Sequence, residues 1–132
     1  MAELFETDVS DYSFHVAAED LSDKQYYIVT LNSDGEVDIC TSEDEPYGVL
    51  VNKPKAGQAA KVRIKGVSRV KVSSGANLTM GVPVGSDDSG CAIEVSEDGG
   101  MYVGKCVVPG AAGSLASITV DGGIRHTLRR AA

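Results

Sequence analysis

The chain has no tryptophan, only two histidines and three cysteines, and these scarcities narrow what it can do. His15 and His126 each stand alone in their stretch, so there is no H-x-x-x-H or related spacing for zinc. Cys40, Cys91 and Cys106 are an odd set without paired C-x-x-C spacing, which reads as buried reduced thiols and not as a metal or redox site. No G-x-x-x-x-G-K-S/T phosphate loop and no G-x-S-x-G nucleophile elbow occurs. Carboxylates are plentiful but fall in loops and near the N-terminus, where nothing raises a pKa toward general-acid work. No feature of the sequence asks for an enzyme, a metal or a cofactor, although catalytic sites can also be assembled from residues distant in sequence. Basic charge is also scarce: 12 Lys and Arg against 19 Asp and Glu leave a net charge of −7, which disfavours nucleic acid and anionic membrane as partners. No apolar run approaches the ~20 residues a membrane helix requires. The opening MAELFETDVSDYSF has neither the basic nor the apolar region of a signal peptide, so the chain reads as one made and kept inside a cell, or inside whatever assembles there.

What the sequence does hold is glycine, 15 in all, with many Val, Ile, Thr and Ser, a composition that favours strands and tight turns. The 132 residues suit one domain that buries roughly two-thirds of its unfolded surface. Within it lies an internal repeat. The stretch GVLVNKPKAGQAAKVRIKG (48–66) returns as GKCVVPGAAGSLASITVDG (104–122), with Gly48, Gly57, Val62, Ile64 and Gly66 recurring 56 residues later as Gly104, Gly113, Ile118, Val120 and Gly122. The same displacement carries Val37 onto Ile93 and Ile39 onto Val95. Two copies point to one domain of two related halves, not a solenoid. The expected fold is all-β, a β-sandwich or open β-barrel of two similar halves, with halves at 24–72 and 82–122 joined by the linker 73–81.

Residues 1–23 carry seven acids and no Lys or Arg, an acidic N-terminal arm leading into a first strand marked by the alternation Tyr12, Phe14, Val16. Residues 1–11 read either as a disordered terminus or as an arm that orders against a partner through Leu4, Phe5 and Val9. Lys24–Leu31 reads as a strand, with a turn at Asn32–Gly35 and a half-buried second arm at Glu36–Thr41. The acidic loop Ser42–Pro46 lacks calcium-loop spacing and reads as solvated. Ala60–Val72 is the longest strand signal. Its odd positions Lys61, Arg63, Lys65, Arg69 and Lys71 are basic, and the second copy has no such face. Either neighbouring carboxylates neutralise this face or it contacts an acidic partner, and the two readings agree if the acidic arm comes from a second subunit. Residues 123–132 form a basic tail, a short helix or a loose end.

The run PYGVLVNKPKAGQAAKVRIKGVSRVKV (46–72) resembles the head decoration, or capsid cement, proteins of tailed bacteriophages. The likeness continues through Gly81, Asp88–Ala92 and Tyr102–Cys106, spanning about residues 26–122, with a departure at Lys105 and Cys106. It leaves out the arm and the tail. The resemblance implies a structural protein, made in the host cytoplasm and carried on the outside of the virion. It implies binding to the major capsid protein of the expanded shell, often as a homotrimer, and bracing against internal DNA pressure. The contact candidates are Leu4, Phe5, Val9, Lys61, Arg63, Lys65, Arg69 and Lys71. The alternative is a small glycan- or ligand-binding module on a phage particle, for which Tyr12, Tyr26, Tyr27, Tyr47 and Tyr102 are available.

Overall fold

The computed structural model describes residues 12–122 and 125–128. Every regular element among them is a strand, as the composition leads one to expect: β1 (Tyr12–Val16), β2 (Ile28–Leu31), β3 (Val37–Ile39), β4 (Gly48–Leu50), β5 (Ala59–Arg63), β6 (Lys65–Lys71), β7 (Pro83–Ser86), β8 (Ala92–Glu94), β9 (Met101–Tyr102), β10 (Gly104–Val108), β11 (Leu115–Asp121) and β12 (His126–Thr127). They form two five-stranded sheets, ordered β1-β5-β4-β2-β3 and β6-β11-β10-β7-β8, with β12 and β9 paired beside them. The two orders are the same order written twice. Every pairing within them is antiparallel.

The repeat therefore extends beyond the stretch in which the sequence displays it. Ser13 opposite Val62 becomes Ser68 opposite Ile118, Leu50 opposite Val62 becomes Cys106 opposite Ile118, and Leu31 opposite Val37 becomes Ser86 opposite Ala92. The displacement is 56 in β10 and β11 but 55 in β6, β7 and β8. Val37 thus corresponds to Ala92 and Ile39 to Glu94, which corrects by one residue the alignment that uniform spacing suggests. The extra residue lies between β8 and β10. The turns agree with the shorter displacement: Asn32 Oδ1 accepts from the N–H groups of Asp34 and Glu36, and Asp87 Oδ1 accepts from those of Ser89 and Cys91.

Each sheet curls until its two ends meet. Ala17 bridges Val37 and Val72 bridges Ala92, both in parallel, with Ala18 N–H donating to the Val37 carbonyl and Ser73 N–H to that of Ala92. Inside the first curl lie Val29, Val37, Leu50, Ala60 and Val62, closed by Leu21. Inside the second lie Val70, Val84, Ala92, Cys106, Ala116 and Ile118, closed by Leu78. Both leucines come from the connection after the first strand of their half, and each is almost wholly buried. Burying such a side chain contributes about 1.5–3 kcal/mol. The segment 73–81, which looks like a linker of turn formers, therefore supplies a core residue.

The halves join where Ile28, Cys40 and Val49, on the outer face of the first sheet, pack into the cluster of the second. Ile28 N–H donates to the Gly90 carbonyl at 2.7 Å, Lys71 N–H to that of Tyr26 at 2.9 Å and Ser86 Oγ to that of Cys40 at 3.0 Å. At the rim of this seam the Ser42 hydroxyl and N–H hold Asp88 below the ordinary carboxylate range.

Three expectations change. The run Ala60–Val72 is not one strand: the chain leaves the first sheet after Arg63 and enters the second at Lys65, with Ile64 at the crossing. Lys24–Leu31 is extended only from Ile28, because Leu21 turns inward and the chain folds back through hydrogen bonds Lys24 N–H to Leu21 O and Tyr27 N–H to Lys24 O. In the tail, His126 and Thr127 are neither helix nor loose end but pair with Tyr102 and Met101.

Candidate functional site

One row of side chains leads from the core to the surface. Across β2, β4, β5 and β1 the register sets Ile28 beside Val49, Val49 beside Arg63 and Arg63 beside Tyr12. Ile28 and Val49 are fully buried beneath the second sheet, whereas Arg63 and Tyr12 are half-buried. The apolar residues end where the second sheet stops covering the first, and a cation and a phenol take their place. Phe14 and Val16 continue the same face of β1 and are 64 % and 46 % exposed.

This uncovered face is one wall of a depression of about 510 Å³. Tyr12, Tyr26, Val51, Lys61 and Arg63 line it from the first half, and Val67, Ser68 and Arg69 from β6. Lys61 Nζ lies 4.0 Å from the centre of the Tyr12 ring and Arg63 Cζ 4.7 Å from it. Such cation–π contacts contribute about 0.5–1 kcal/mol at exposed sites. Arg63 Nη2 also donates to the Tyr12 hydroxyl at 2.5 Å. Its Nε is buried without an acceptor, which typically costs about 1–3 kcal/mol. Among the described residues none of Lys61, Arg63 and Arg69 is in an ion pair. The depression is thus a cationic, aromatic-lined surface on an acidic protein.

The structure divides the five basic residues that the strand pattern places on one face. Lys61, Arg63 and Arg69 meet at the depression. Lys65 is exposed at the start of β6, opposite Asp121. Lys71 turns away, its Nζ donating to the Gly113 carbonyl. Leu4, Phe5 and Val9 lie outside the described residues. Sequence reasoning missed Val51 as a lining residue and offered Tyr26 only as one of five tyrosines available to the alternative binding module; no local signal places either here, because they reach the site only through the pairing of distant strands. Tyr12 was findable, since its alternation with Phe14 and Val16 gives the strand though not the face.

Acidic groups gather elsewhere. On β3, at the far edge of the first sheet, Asp38 faces Glu19, and a hydrogen bond between the two carboxyls with their mutual repulsion holds Glu19 above its ordinary value. The loop after β3 carries Glu43, Asp44 and Glu45. Among the described residues no group of three His, Cys, Asp or Glu side chains is arranged to hold a metal. Burial pushes the Cys40 thiol up to about 12 and raises Cys91 and Cys106 for the same reason. In their native setting these thiols are held in the protonated form.

Fold and surface together define a small all-β protein of two similar halves with a cationic, aromatic-lined depression. The chain belongs to a family of phage cement proteins, whose model, described as phage cement protein, matches residues 12–122. It is accordingly a protein of the phage virion surface that decorates and stabilises the capsid. Among solved structures it is similar to the crystal structure of the head fiber gp8.5 N base in bacteriophage phi29, at 16 % identity, covering 87 % of this chain and 98 % of that chain with a TM-score of 0.62. At that identity the likeness concerns the fold. No curated protein matches the sequence.

Proposed function

We propose that the protein binds the major capsid protein on the outside of the expanded shell, as a homotrimer, and braces the shell against internal DNA pressure by binding alone, without catalysis. The observation that carries this reading is the family match, which spans the β domain from β1 to the end of β11. The arm and the depression support it physically. The arm offers Leu4, Phe5 and Val9 as apolar anchors, and Lys61, Arg63 and Arg69 at the depression, with the exposed Lys65, offer cations to capsid or neighbouring subunits, whereas Lys71 is engaged by the Gly113 carbonyl. Many weak contacts repeated over one lattice then sum to tight retention, because linked binding raises avidity.

Deleting residues 2–11 tests the part given to the arm. The expected result is weaker cosedimentation with expanded shells and an unchanged, β-rich circular dichroism spectrum. Full shell binding by the shortened protein would remove the arm from the account.

A further inference from the structure

The composition of the arm is complementary to the lining of the depression. The eleven residues before Tyr12 contain Glu3, Glu6, Asp8 and Asp11, with no Lys or Arg, and the apolar Leu4, Phe5 and Val9. The depression holds Lys61, Arg63 and Arg69 without carboxylate partners among the described residues, beside Tyr12, Tyr26, Val51 and Val67. The arm's acids are complementary to cations that have no carboxylate partner among the described residues, and its apolar side chains to the aromatic lining. A carboxylate is also the acceptor suited to a guanidinium that still has a free donor, as Arg63 has at Nε. Lys105, which stands in the second half near the place Val49 holds in the first, has no comparable cationic neighbours on β11, where Ser117 and Thr119 correspond to Lys61 and Arg63.

We infer that the acidic arm of one copy docks in the Tyr12–Lys61–Arg63–Arg69 depression of a neighbouring copy, so that decoration proteins clasp one another on the shell. The neighbour is favoured over the same chain by where the arm ends. Tyr12 is both the residue the arm runs into and a wall of the depression. Folding back into its own site takes a reversal of about four residues, which consumes Asp8 to Asp11 and with them half the arm's acids and Val9. Fully extended, eleven residues reach about 35–40 Å, enough to cross to an adjacent copy. On arrival the arm can cover Phe14 and Val16, which extend the same face beyond the depression. The inference rests on the reading of the arm as a contact surface, but it needs no capsid, because copies can clasp in solution.

Two full-length charge-reversed proteins test it by sedimentation velocity at low ionic strength. One carries Lys61→Glu and Arg69→Glu, the other Glu3→Lys, Glu6→Lys, Asp8→Lys and Asp11→Lys. The wild type associates, with association weakening about tenfold or more in high salt. Each variant alone sediments as monomer, and an equimolar mixture associates again, since only between the two are arm and depression of opposite sign. A circular dichroism spectrum matching the wild type establishes that both are folded. A synthetic peptide of residues 1–11, added to the unaltered wild type, dissociates it by competition. A wild type that stays monomeric, a mixture that stays monomeric while the wild type associates, or a peptide without effect would each overturn the inference. Loss of shell binding with intact recovery in the mixture would count against the capsid reading and leave the clasp standing.

Discussion

Cys40 sits at the seam of the two halves, with its thiol buried and its carbonyl accepting from Ser86. Burial raises its pKa from 9.0 to about 12. A group whose folded pKa is raised contributes stability that is complete below the unfolded value and is lost as pH climbs toward the folded one. Melting temperature is therefore expected to fall between pH 9 and about 12, and Cys40→Ala to flatten that slope. A thiol reagent at pH 8 should leave Cys40 and Cys106 unmodified in the native protein and titrate all three cysteines in denaturant. Prompt native modification of Cys40 would contradict the burial. The reading of the cysteines as buried holds for Cys40 and Cys106, whereas Cys91 is only half-buried. Arg63 was legible as basic and outward-facing but not as a residue with a buried Nε, because its burial comes from the row it shares with Val49 and Ile28.

At the scale of elements, the glycines of the repeat have a steric reason. A Cβ on Gly48 would strike the Arg63 carbonyl, and one on Gly104 the Thr119 carbonyl, so strands β4 and β10 cross their neighbours too closely for any side chain. Gly57 and Gly113 hold φ of 82° and 78°, the left-handed turn conformation that favours glycine. Gly104→Ala is expected to disrupt the β10–β11 pairing, visible as early amide exchange along β11. Leu21→Ala and Leu78→Ala, which empty corresponding plugs, should each destabilise by about 2–5 kcal/mol in denaturant titrations. A much smaller loss for Leu78 would return 73–81 to the status of a linker. The two-half architecture was readable because period-two alternation and the glycine spacing are local. The division of Ala60–Val72 was not, since Val62, Ile64 and Val70 keep the same parity through the crossing and only long-range pairing assigns β5 and β6 to different sheets. The pairing of His126–Thr127 with Met101–Tyr102 was invisible for the same reason.

At the scale of the whole molecule, the halves share one cluster through Ile28, Cys40 and Val49. They should unfold together, in a single transition by calorimetry with matching calorimetric and van't Hoff enthalpies. Two resolved transitions would mean that each curl is stable alone. The charge is unevenly placed: Lys61, Arg63 and Arg69, without an ion pair among the described residues, gather at the depression, while Asp38 meets Glu19 at β3 and Glu43, Asp44 and Glu45 lie in the loop after it. Such polarity suits assembly on a surface in one orientation. The most direct test of the central claim is cosedimentation of the full-length protein with expanded, undecorated capsids of its own phage, with unexpanded procapsids alongside. The account predicts saturable binding to the expanded shells and none to the procapsids. Absence of binding to expanded shells would contradict it.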